Sequence, residues 1–568
     1  MKSITTIALR RRKGLMAAFV LASVLAALLT MASALSVTDF LQLIFPGEQG
    51  VSLSAASNPV MRAVSVVYDL LIAQGAARAL VLYAVLLFVL YAFKNLFSYL
   101  AAVLFARIKT GVLFDIRNAL HRAVLHQDFS RWSSQAQGQW LSRMGNDVAE
   151  YETNLLDSIQ MLIASSLTML IYVAMLVYLN WSLTLIVVVV MAVGTLLLSA
   201  SRRLKRESRL LQSLNGDLMT TTQETLDSLK EIKAATAIDY VNGRQQRQNS
   251  HFTDRRIRIY RRIYAASPLS DFVGNVIVAV ILIVGAVHTI GSQSAAMPPS
   301  LFVSYIMIYV LLLTPIKDFS NAIAQLKKGR GVEERIAEAC DGPYGSTAER
   351  DIAPDGAIES IELKDLSFSY GGNKVFDRLS LTMPMHCHTA LTGASGSGKT
   401  TLGRLLAGLL QPQGGQLLVN GLPDTEGWRT SRIAYIPQQP MLFNDTIEAN
   451  IRFGRPWLTD ADIEQAAHLA QLDSVLASHN AGLKTVVGDG GSLLSGGEQQ
   501  RVSIARALAG NPSVVVMDEA TAALDSETEQ RLTASLRSSM RGRTLFVIAH
   551  RASTIAACDK VINLENLC

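Results

Sequence analysis

Long apolar runs alternate with polar stretches over about the first 320 residues of the chain, and this alternation stops near residue 340. A helix that crosses a bilayer needs roughly 18 or more mostly apolar residues. A single run of that kind is also compatible with a buried core helix, but several in one half of the chain predict a membrane-spanning all-α domain. The six predicted spans are 15–45, 79–105, 156–179, 183–200, 272–290 and 301–316.

Lysine and arginine residues concentrate at the N-terminus and in the connections between spans two and three and between spans four and five. Basic residues favour the cytoplasmic side of a membrane, so we expect both termini and both connections there and the loop 46–77 outside. The densest cluster is RRIRIYRR at 255–262. Beside a span, such a cluster favours anchoring at anionic head groups over nucleic-acid binding; we therefore expect membrane lipids, and no nucleic acid, as partners.

The N-terminus also resembles a secretory signal peptide, because RRRK precedes an apolar stretch that contains Ala32, Ser33 and Ala34. Cleavage there would leave five spans. The apolar stretch is longer than a signal peptide needs and continues to Phe45, so we interpret it as a retained first span. The four cysteines are too few for a disulfide scaffold and fall on the predicted cytoplasmic side, where we expect reduced thiols.

Composition supports a chain with two different halves. Hydrophobic residues make up 50% and charged residues only 17% of the sequence, against an average charged content of about 25%, which argues against a disordered chain and an ordinary cytosolic enzyme. The net charge of +6 belongs largely to the basic clusters beside the spans. We predict a membrane domain at 1–339, a polar linker at 340–357 and an α/β domain at 358–568.

The motif GASGSGKT at 393–400 is typical of a phosphate-binding loop. Its glycines let consecutive backbone N–H groups turn toward phosphate oxygens at a helix N-terminus, where anions are stabilised. Lys399 is expected to reach the β- and γ-phosphates, and Thr400 to bind Mg²⁺. The candidate nucleotide-binding residues of this segment are Gly393, Ser395, Gly396, Ser397, Gly398, Lys399, Thr400 and Thr401.

A pair of carboxylates follows an apolar run in SVVVMDE at 513–519. The run predicts a buried parallel strand, and its carboxyl end is where α/β domains bind ligands. We predict that Asp518 supports Mg²⁺ and that Glu519 accepts a proton from the attacking water. A structural ion pair is the alternative for either carboxylate, and the accompanying phosphate loop argues against it.

A second helix N-terminus suited to anions is indicated by LSGGEQQR at 494–501. Gly496 and Gly497 end a loop, and Glu498 lies at the start of a helix. One phosphate loop does not account for two such helix N-termini, so local chemistry leaves the ligand of this second site open.

The order of these motifs resembles the nucleotide-binding domain, or cassette, of ATP-binding cassette (ABC) proteins. LSGGE is similar to the signature loop LSGGQ of that family, with Glu498 in place of the final glutamine. The resemblance implies four more functional residues, which are the adenine-stacking Tyr370 in LSFSY, the Q-loop Gln438 in YIPQQP at Mg²⁺, Asp525 of the D-loop in AALD, and the switch His550 in VIAHR at the γ-phosphate.

In that family two cassettes pack head to tail, and each ATP lies between one phosphate loop and the partner's signature loop. One cassette and six spans therefore correspond to half a transporter, with ATP and Mg²⁺ as cofactors. Because Glu519, Gln438 and His550 are all present, we expect a homodimer with two working sites, and a heterodimer with a degenerate partner stays open. The signature residues expected at the partner's ATP are Ser495, Gly496, Gly497 and Glu498.

The membrane half adds to the resemblance, since segments 129–148 and 226–241 look like the two coupling loops of ABC exporters. The order of domains is similar to exporters of the lipid-flippase and multidrug type. We expect ATP-driven export or flipping of a lipid-like or amphipathic substrate, by alternating access, in the bacterial cytoplasmic (inner) membrane. Export of hydrophobic drugs or peptides is the alternative. Lys94 in span two either faces a substrate cavity, or extends toward the head groups or pairs with a structural carboxylate.

Overall fold

The computed structural model of the chain describes residues 4–44, 76–127, 137–185, 188, 221–291, 299–340, 358–370, 373–424, 432–520, 526–549 and 551–566. The chain divides into two compact units. The first unit contains Met1–Arg117 and Asn146–Arg335, and the second contains Asn118–Gly145 and Ile336–Cys568. Clusters of buried apolar side chains lie in both units. The predicted boundaries of the domains at 339 and 358 stay predictions.

The described part of the first 340 residues is helical, with several long helices joined by short ones. Apolar helices suit a bilayer because each satisfies its own backbone hydrogen bonds internally. Short π-helical turns at Arg143–Asp147 and Glu152–Leu156 interrupt the helical run that leads to residue 179. The α-helices are Ile4–Arg10, Lys13–Ile44, Ala76–Leu125, Gln137–Ser142, Val148–Tyr151, Asp157–Leu179, Leu229–Ala234, Ile238–Gly291 and Pro299–Cys340.

Four of the predicted spans are confirmed as parts of helices that are long and apolar enough to cross a membrane. The fifth lies on the helix Ile238–Gly291, where the residues with described side chains include the apolar stretch Gly274–Val284. The fourth, 183–200, lies almost entirely outside the described residues. The count of six spans therefore stays a prediction. The four confirmed helices are Lys13–Ser36, Leu80–Leu125, Gln139–Leu179 and Phe302–Cys340.

Buried polar contacts hold the short N-terminal helix within the first unit. The Thr5 hydroxyl donates to Glu333 Oε1 at 2.7 Å, and the Thr5 backbone N–H donates to the same oxygen at 3.0 Å. The Tyr151 hydroxyl lies 2.6 Å from Thr5 Oγ1. Because the single hydroxyl proton of Thr5 is donated to Glu333, Tyr151 is the donor of this third bond. Thr5 and Tyr151 are both buried, so the contact joins three distant parts of the sequence.

Both predicted coupling loops contain a short helix. The helix Gln137–Ser142 lies in the segment 129–148, whose residues before 137 are outside the described ranges. In the segment 226–241 the helix Leu229–Ala234 ends where Thr236 adopts a left-handed conformation, with φ of 54°, and a new helix begins at Ile238. A β-branched residue rarely adopts that conformation. The surface that these segments contact stays a prediction.

The second half of the chain is an α/β fold with two sheets, as its sequence predicts. The strands are β1 (Ile361–Tyr370), β2 (Asn373–Met383), β3 (His388–Thr392), β4 (Gly414–Val419), β5 (Leu422–Pro423), β6 (Ile433–Ile436), β7 (Val514–Asp518), β8 (Thr544–Ile548) and β9 (Lys560–Asn563). One sheet has strand order β6-β7-β8-β3-β9 with parallel pairs, and the other has order β2-β1-β4-β5 with antiparallel pairs. The helices are Lys399–Leu406, Ile447–Arg452, Asp460–Leu469, Asp473–Ser478, Gly496–Leu508, Ser526–Ser539 and Ala552–Ala556.

The parallel sheet determines where the candidate site forms. Every residue of β7 and of β8 is buried, which accounts for their continuous apolar sequences. In a parallel sheet all strands end at the same edge. The phosphate loop after β3, Gln438 after β6, and the carboxylates at the end of β7 are therefore brought to one edge of this sheet.

Candidate nucleotide-binding site

The phosphate loop connects β3 directly to the helix Lys399–Leu406. Gly393, Gly396 and Gly398 have φ of 146°, 87° and 88°, conformations that side chains rarely allow. Lys399 is buried, and its ammonium group donates to the carbonyl oxygens of Gly393 and Ala394, both at 2.8 Å. The lysine is thereby held across the opening of the loop, close to where the motif predicts the β- and γ-phosphates.

Gly398 is tightly enclosed from the side of strand β2. A Cβ atom at this position would lie 2.7 Å from Phe376 Cζ and 2.8 Å from Val375 Cγ1. At Gly396, by contrast, a Cβ atom would meet nothing within 4 Å. The apolar side chains of β2 thus press directly on the last turn of the loop, where the helix begins.

Asp518 and Thr400 form the candidate metal site. The Thr400 hydroxyl donates to Asp518 Oδ1 at 3.1 Å, and the Tyr435 hydroxyl donates to Asp518 Oδ2 at 2.7 Å. Asp518 is only 3% exposed, so a carboxylate with two hydroxyl donors lies in a shielded position. A hydroxyl and a carboxylate are hard oxygen ligands of the kind that Mg²⁺ prefers, and both residues therefore fit the predicted ion.

Glu519 and Gln438 meet beside this pair. Gln438 Nε2 donates to Glu519 Oε2 at 2.9 Å. Glu519 adopts a left-handed conformation with φ of 50°, and its backbone N–H donates to the carbonyl oxygen of Ile548 at 3.2 Å. The chain therefore turns sharply after Asp518, so that two consecutive residues present two separately held carboxylates.

Tyr370 lies at the end of β1, as an aromatic platform for adenine would. Its ring meets Phe368 edge-on, with 4.9 Å between ring centroids and an interplanar angle of 83°. The Tyr370 hydroxyl is buried, and its ring packs against the apolar cluster that contains Phe376. The adenine-stacking role stays a prediction.

The signature residues form a cluster of their own. Ser495 is the N-cap of the helix Gly496–Leu508, and the Glu498 carboxylate accepts from the Ser495 N–H at 2.7 Å and from its hydroxyl at 2.8 Å. The Glu498 N–H in turn donates to the Ser495 hydroxyl, which completes a capping box. Burial alone would raise the pKa of Glu498, but the hydrogen bonds from Ser495 lower it below its usual value.

Two predicted site residues lie outside the described part of the chain, namely Asp525 and His550. Asp489, which falls where exporters often carry glutamate, accepts a hydrogen bond from Asn444 Nδ2 at 2.6 Å. The structure thus brings Thr400, Asp518, Glu519 and Gln438 together at one edge of the sheet, while the roles assigned to the individual residues stay predictions.

Sequence reasoning missed Tyr435 and Glu565. Tyr435 stands in the quoted segment YIPQQP, but only the register of β6 against β7 directs it to Asp518. The Glu565 carboxylate accepts a hydrogen bond from the Ala394 N–H of the phosphate loop. Its own backbone N–H donates to Asn563 Oδ1 at 3.1 Å. The only sequence signal for Glu565 was its position after a strand, and the pairing of that strand with β3 was not predictable.

Both halves of the chain match known family models. Residues 16–316 match the family model of the ABC transporter transmembrane region, and residues 376–522 match that of the ABC transporter itself. The chain is 32% identical over 484 residues to the ATP-dependent lipid A-core flippase of Paraburkholderia xenovorans, covering 83% of this chain and 80% of that protein. It is 30% identical over 481 residues to the protein of the same name from Syntrophus aciditrophicus, covering 84% of this chain and 79% of that protein.

A solved structure has the same fold. A bacterial Atm1-family ABC exporter with ATP bound matches 96% of this chain and 93% of its own, with a TM-score of 0.76 and 22% sequence identity. An all-α membrane region followed by a cassette is thus a fold that this chain shares with a known exporter.

Proposed function

This chain belongs to the ABC transporter family, and we propose that it exports or flips a lipid-like, amphipathic substrate as a homodimer in the bacterial inner membrane. It is a multi-pass membrane protein that couples ATP hydrolysis to transport. The observation that carries the lipid substrate is the identity of 30 to 32% to proteins named lipid A-core flippases. Their names concern those proteins, and the proposal extends the substrate class to this one.

Hydrolysis is assigned to the residues at the end of β7. Lys399 and the N–H groups of the phosphate loop bind the phosphates, and Mg²⁺, held by Thr400 and Asp518, would supply positive charge to their oxygens. Glu519 accepts a proton from the water that attacks the γ-phosphorus, as the bond to ADP breaks. Gln438, at 2.9 Å from Glu519, orients that carboxylate.

Dimerisation supplies the rest of each site. The phosphate loop and the signature cluster each present a helix N-terminus in one chain, and each such N-terminus favours an anion. A second copy in head-to-tail arrangement places Ser495 of one chain at the γ-phosphate bound by the other. ATP then closes the two cassettes, and hydrolysis reopens them; this cycle is the proposed source of alternating access.

A cavity in the first unit favours a second candidate, the export of cationic amphiphiles. It has a volume of about 380 Å³ and lies between the helices Asp157–Leu179 and Pro299–Cys340. Two carboxylates line it, Asp157 and Asp318, together with Gln160, Thr168 and Thr314, and no lysine or arginine is among the described residues that line it. Lys109 pairs with Asp157 at 3.1 Å and balances its charge. The rest of the lining, with the Asp318 carboxylate among neutral polar groups, is better suited to an amine than to a phosphate.

The test uses the full-length chain in proteoliposomes, with ATP-dependent translocation of a fluorescent lipid A analogue and of a fluorescent cationic amphiphile measured side by side. Glu519→Gln should bind ATP and abolish both hydrolysis and translocation, because the neutral amide cannot accept the proton. Glu527→Gln is the matched control, since Glu527 is 74% exposed in a surface pair with Arg531. Translocation of the cationic probe alone would select the second candidate. Wild-type turnover in Glu519→Gln would refute the assignment of the base.

A further inference from the structure

Tyr435 lies between two charged side chains behind the phosphate loop. Its hydroxyl donates to Asp518 Oδ2 at 2.7 Å. Arg404 of the phosphate-loop helix interacts with the same side chain, since burial by itself would lower the pKa of Arg404, but Tyr435 and Tyr370 raise it. Tyr435 thus lies beside a cation of the phosphate-loop helix and donates to the carboxylate at the end of β7.

The strand register and the phosphate-loop helix confine the Tyr435 ring. Strands β6 and β7 pair with Tyr435 beside Val516, and the length of the side chain carries its hydroxyl two residues further, to Asp518. Gly403 on the phosphate-loop helix allows this packing. A Cβ atom there would lie 3.8 Å from Tyr435 Cε2, 3.2 Å from Val516 Cγ1 and 3.1 Å from Ile548 Cδ1.

The two carboxylate oxygens of Asp518 have different hydrogen-bond donors. Oδ2 is engaged by Tyr435, and Oδ1 faces the Thr400 hydroxyl at 3.1 Å. A buried carboxylate with one oxygen held cannot rotate without losing that bond. A phenol hydroxyl carries one proton and can donate it to a carboxylate, so Tyr435 is the donor of this bond.

We propose that Tyr435 is a positioning residue for the metal of the bound nucleotide, because it orients the Asp518 carboxylate toward Thr400. The proposal rests on the proposed Mg²⁺ at these two residues. Partners of this kind, which hold a metal-binding residue without touching the metal, typically contribute a factor of about 10 to 100 to metal affinity. Tyr435 makes no direct contribution to nucleotide binding in this arrangement.

The test compares wild type with Tyr435→Phe, which keeps the ring and removes only the hydroxyl. Mn²⁺ serves as the probe, and its binding to the full-length protein with ADP is followed by electron paramagnetic resonance. We expect Mn²⁺ affinity to fall by roughly 10- to 100-fold. Binding of a fluorescent ATP analogue in EDTA should stay at the wild-type level. The Mg²⁺ concentration for half-maximal ATPase activity should rise by a similar factor.

The matched control is Thr544→Val, which removes a buried hydroxyl from the same sheet. Thr544 Oγ1 accepts from the His386 N–H at 2.9 Å at the opposite end of β8, so this variant should bind Mn²⁺ as wild type does. Asp518→Asn gives the affinity without the metal-binding carboxylate. Unchanged Mn²⁺ affinity in Tyr435→Phe would overturn the proposal.

Two further outcomes are decisive. An equal loss of metal-free nucleotide binding in Tyr435→Phe would show that the hydroxyl supports the fold of the loop, and would overturn the positioning role. If wild type and Asp518→Asn bound Mn²⁺ equally, the metal assignment itself would be wrong, together with the role of Tyr435. None of these measurements depends on the proposed lipid substrate. A failure of the substrate proposal would therefore be seen separately, in the translocation assay.

Discussion

Alanine substitutions at Gly398 and Gly396 distinguish the cost of steric crowding from the cost of backbone strain. Their φ angles are 88° and 87°, so an alanine at either position carries the same left-handed strain, about 1–2 kcal/mol. Only Gly398 is also crowded, with Phe376 and Val375 at 2.7 and 2.8 Å from a Cβ atom. Gly398→Ala should therefore destabilise the cassette more than Gly396→Ala does.

The difference between the two variants follows from the crowding alone. Forcing a methyl group into a packed core costs about 1–3 kcal/mol. For a domain of 150 to 250 residues, 1 kcal/mol shifts the unfolding temperature by about 2–4 °C. We therefore expect Gly398→Ala to unfold roughly 2–12 °C below Gly396→Ala.

The assay is thermal unfolding of the full-length protein in detergent without nucleotide, so that contacts to phosphates do not contribute. The cassette transition is recognised in wild type by its upward shift on addition of Mg²⁺ and ATP. Equal unfolding temperatures of the two variants, or a lower one for Gly396→Ala, would refute the reasoning from the contacts with β2.

Three further predictions concern capping, pH and the N-terminal helix. Glu498→Ala should lower the unfolding free energy by about 0.3–1 kcal/mol, because it removes a carboxylate from a helix N-terminus and one half of the capping box. Because the pKa of Glu498 is lowered in the folded protein, the advantage of wild type over Glu498→Gln should hold above the ordinary value of 4.5 and vanish as pH falls through the folded pKa. The Gly542 carbonyl and then Glu359 raise the pKa of His386. The resulting stabilisation of the folded protein should therefore be full below pH 6.5 and fade as pH rises through the folded pKa. It should be smaller in Glu359→Gln, and unfolding temperatures from pH 6 to 9 test this. Thr5→Val leaves buried polar groups without their partner, at a cost of about 1–3 kcal/mol, and should lower the nucleotide-insensitive unfolding transition, whereas Thr110→Val, which removes an exposed local bond, should not.

The geometry of the candidate nucleotide-binding segments was predictable because each motif combines local chemistry with local structure. Glycines with positive φ, a following lysine and a helix start all lie within eight residues of GASGSGKT. In the same way, the apolar strand and its carboxylates are consecutive in VVVMDE. The tertiary structure was needed only to bring these two segments to one sheet edge.

The number of membrane spans was less predictable. The run 272–290 reads as a span by composition, and in the structure it lies on a 54-residue helix, Ile238–Gly291, which begins with a polar and basic stretch and has Pro268 inside it. Hydropathy counts apolar residues in a window, whereas a helix that extends beyond the bilayer mixes apolar and basic turns. The beginning and end of a span within such a helix depend on packing and on lipid.

The sequence by itself determined the family and the order of the two regions, and it predicts the residues that face the nucleotide, because these depend on motifs whose parts are neighbours in the chain. Only the tertiary structure decided that Tyr435 bonds Asp518, that Glu565 bonds the phosphate loop, and that Phe376 presses on Gly398. Each of these contacts joins segments that are 22 to 171 residues apart. Strand order and register set such distances, and no local pattern of residues records them.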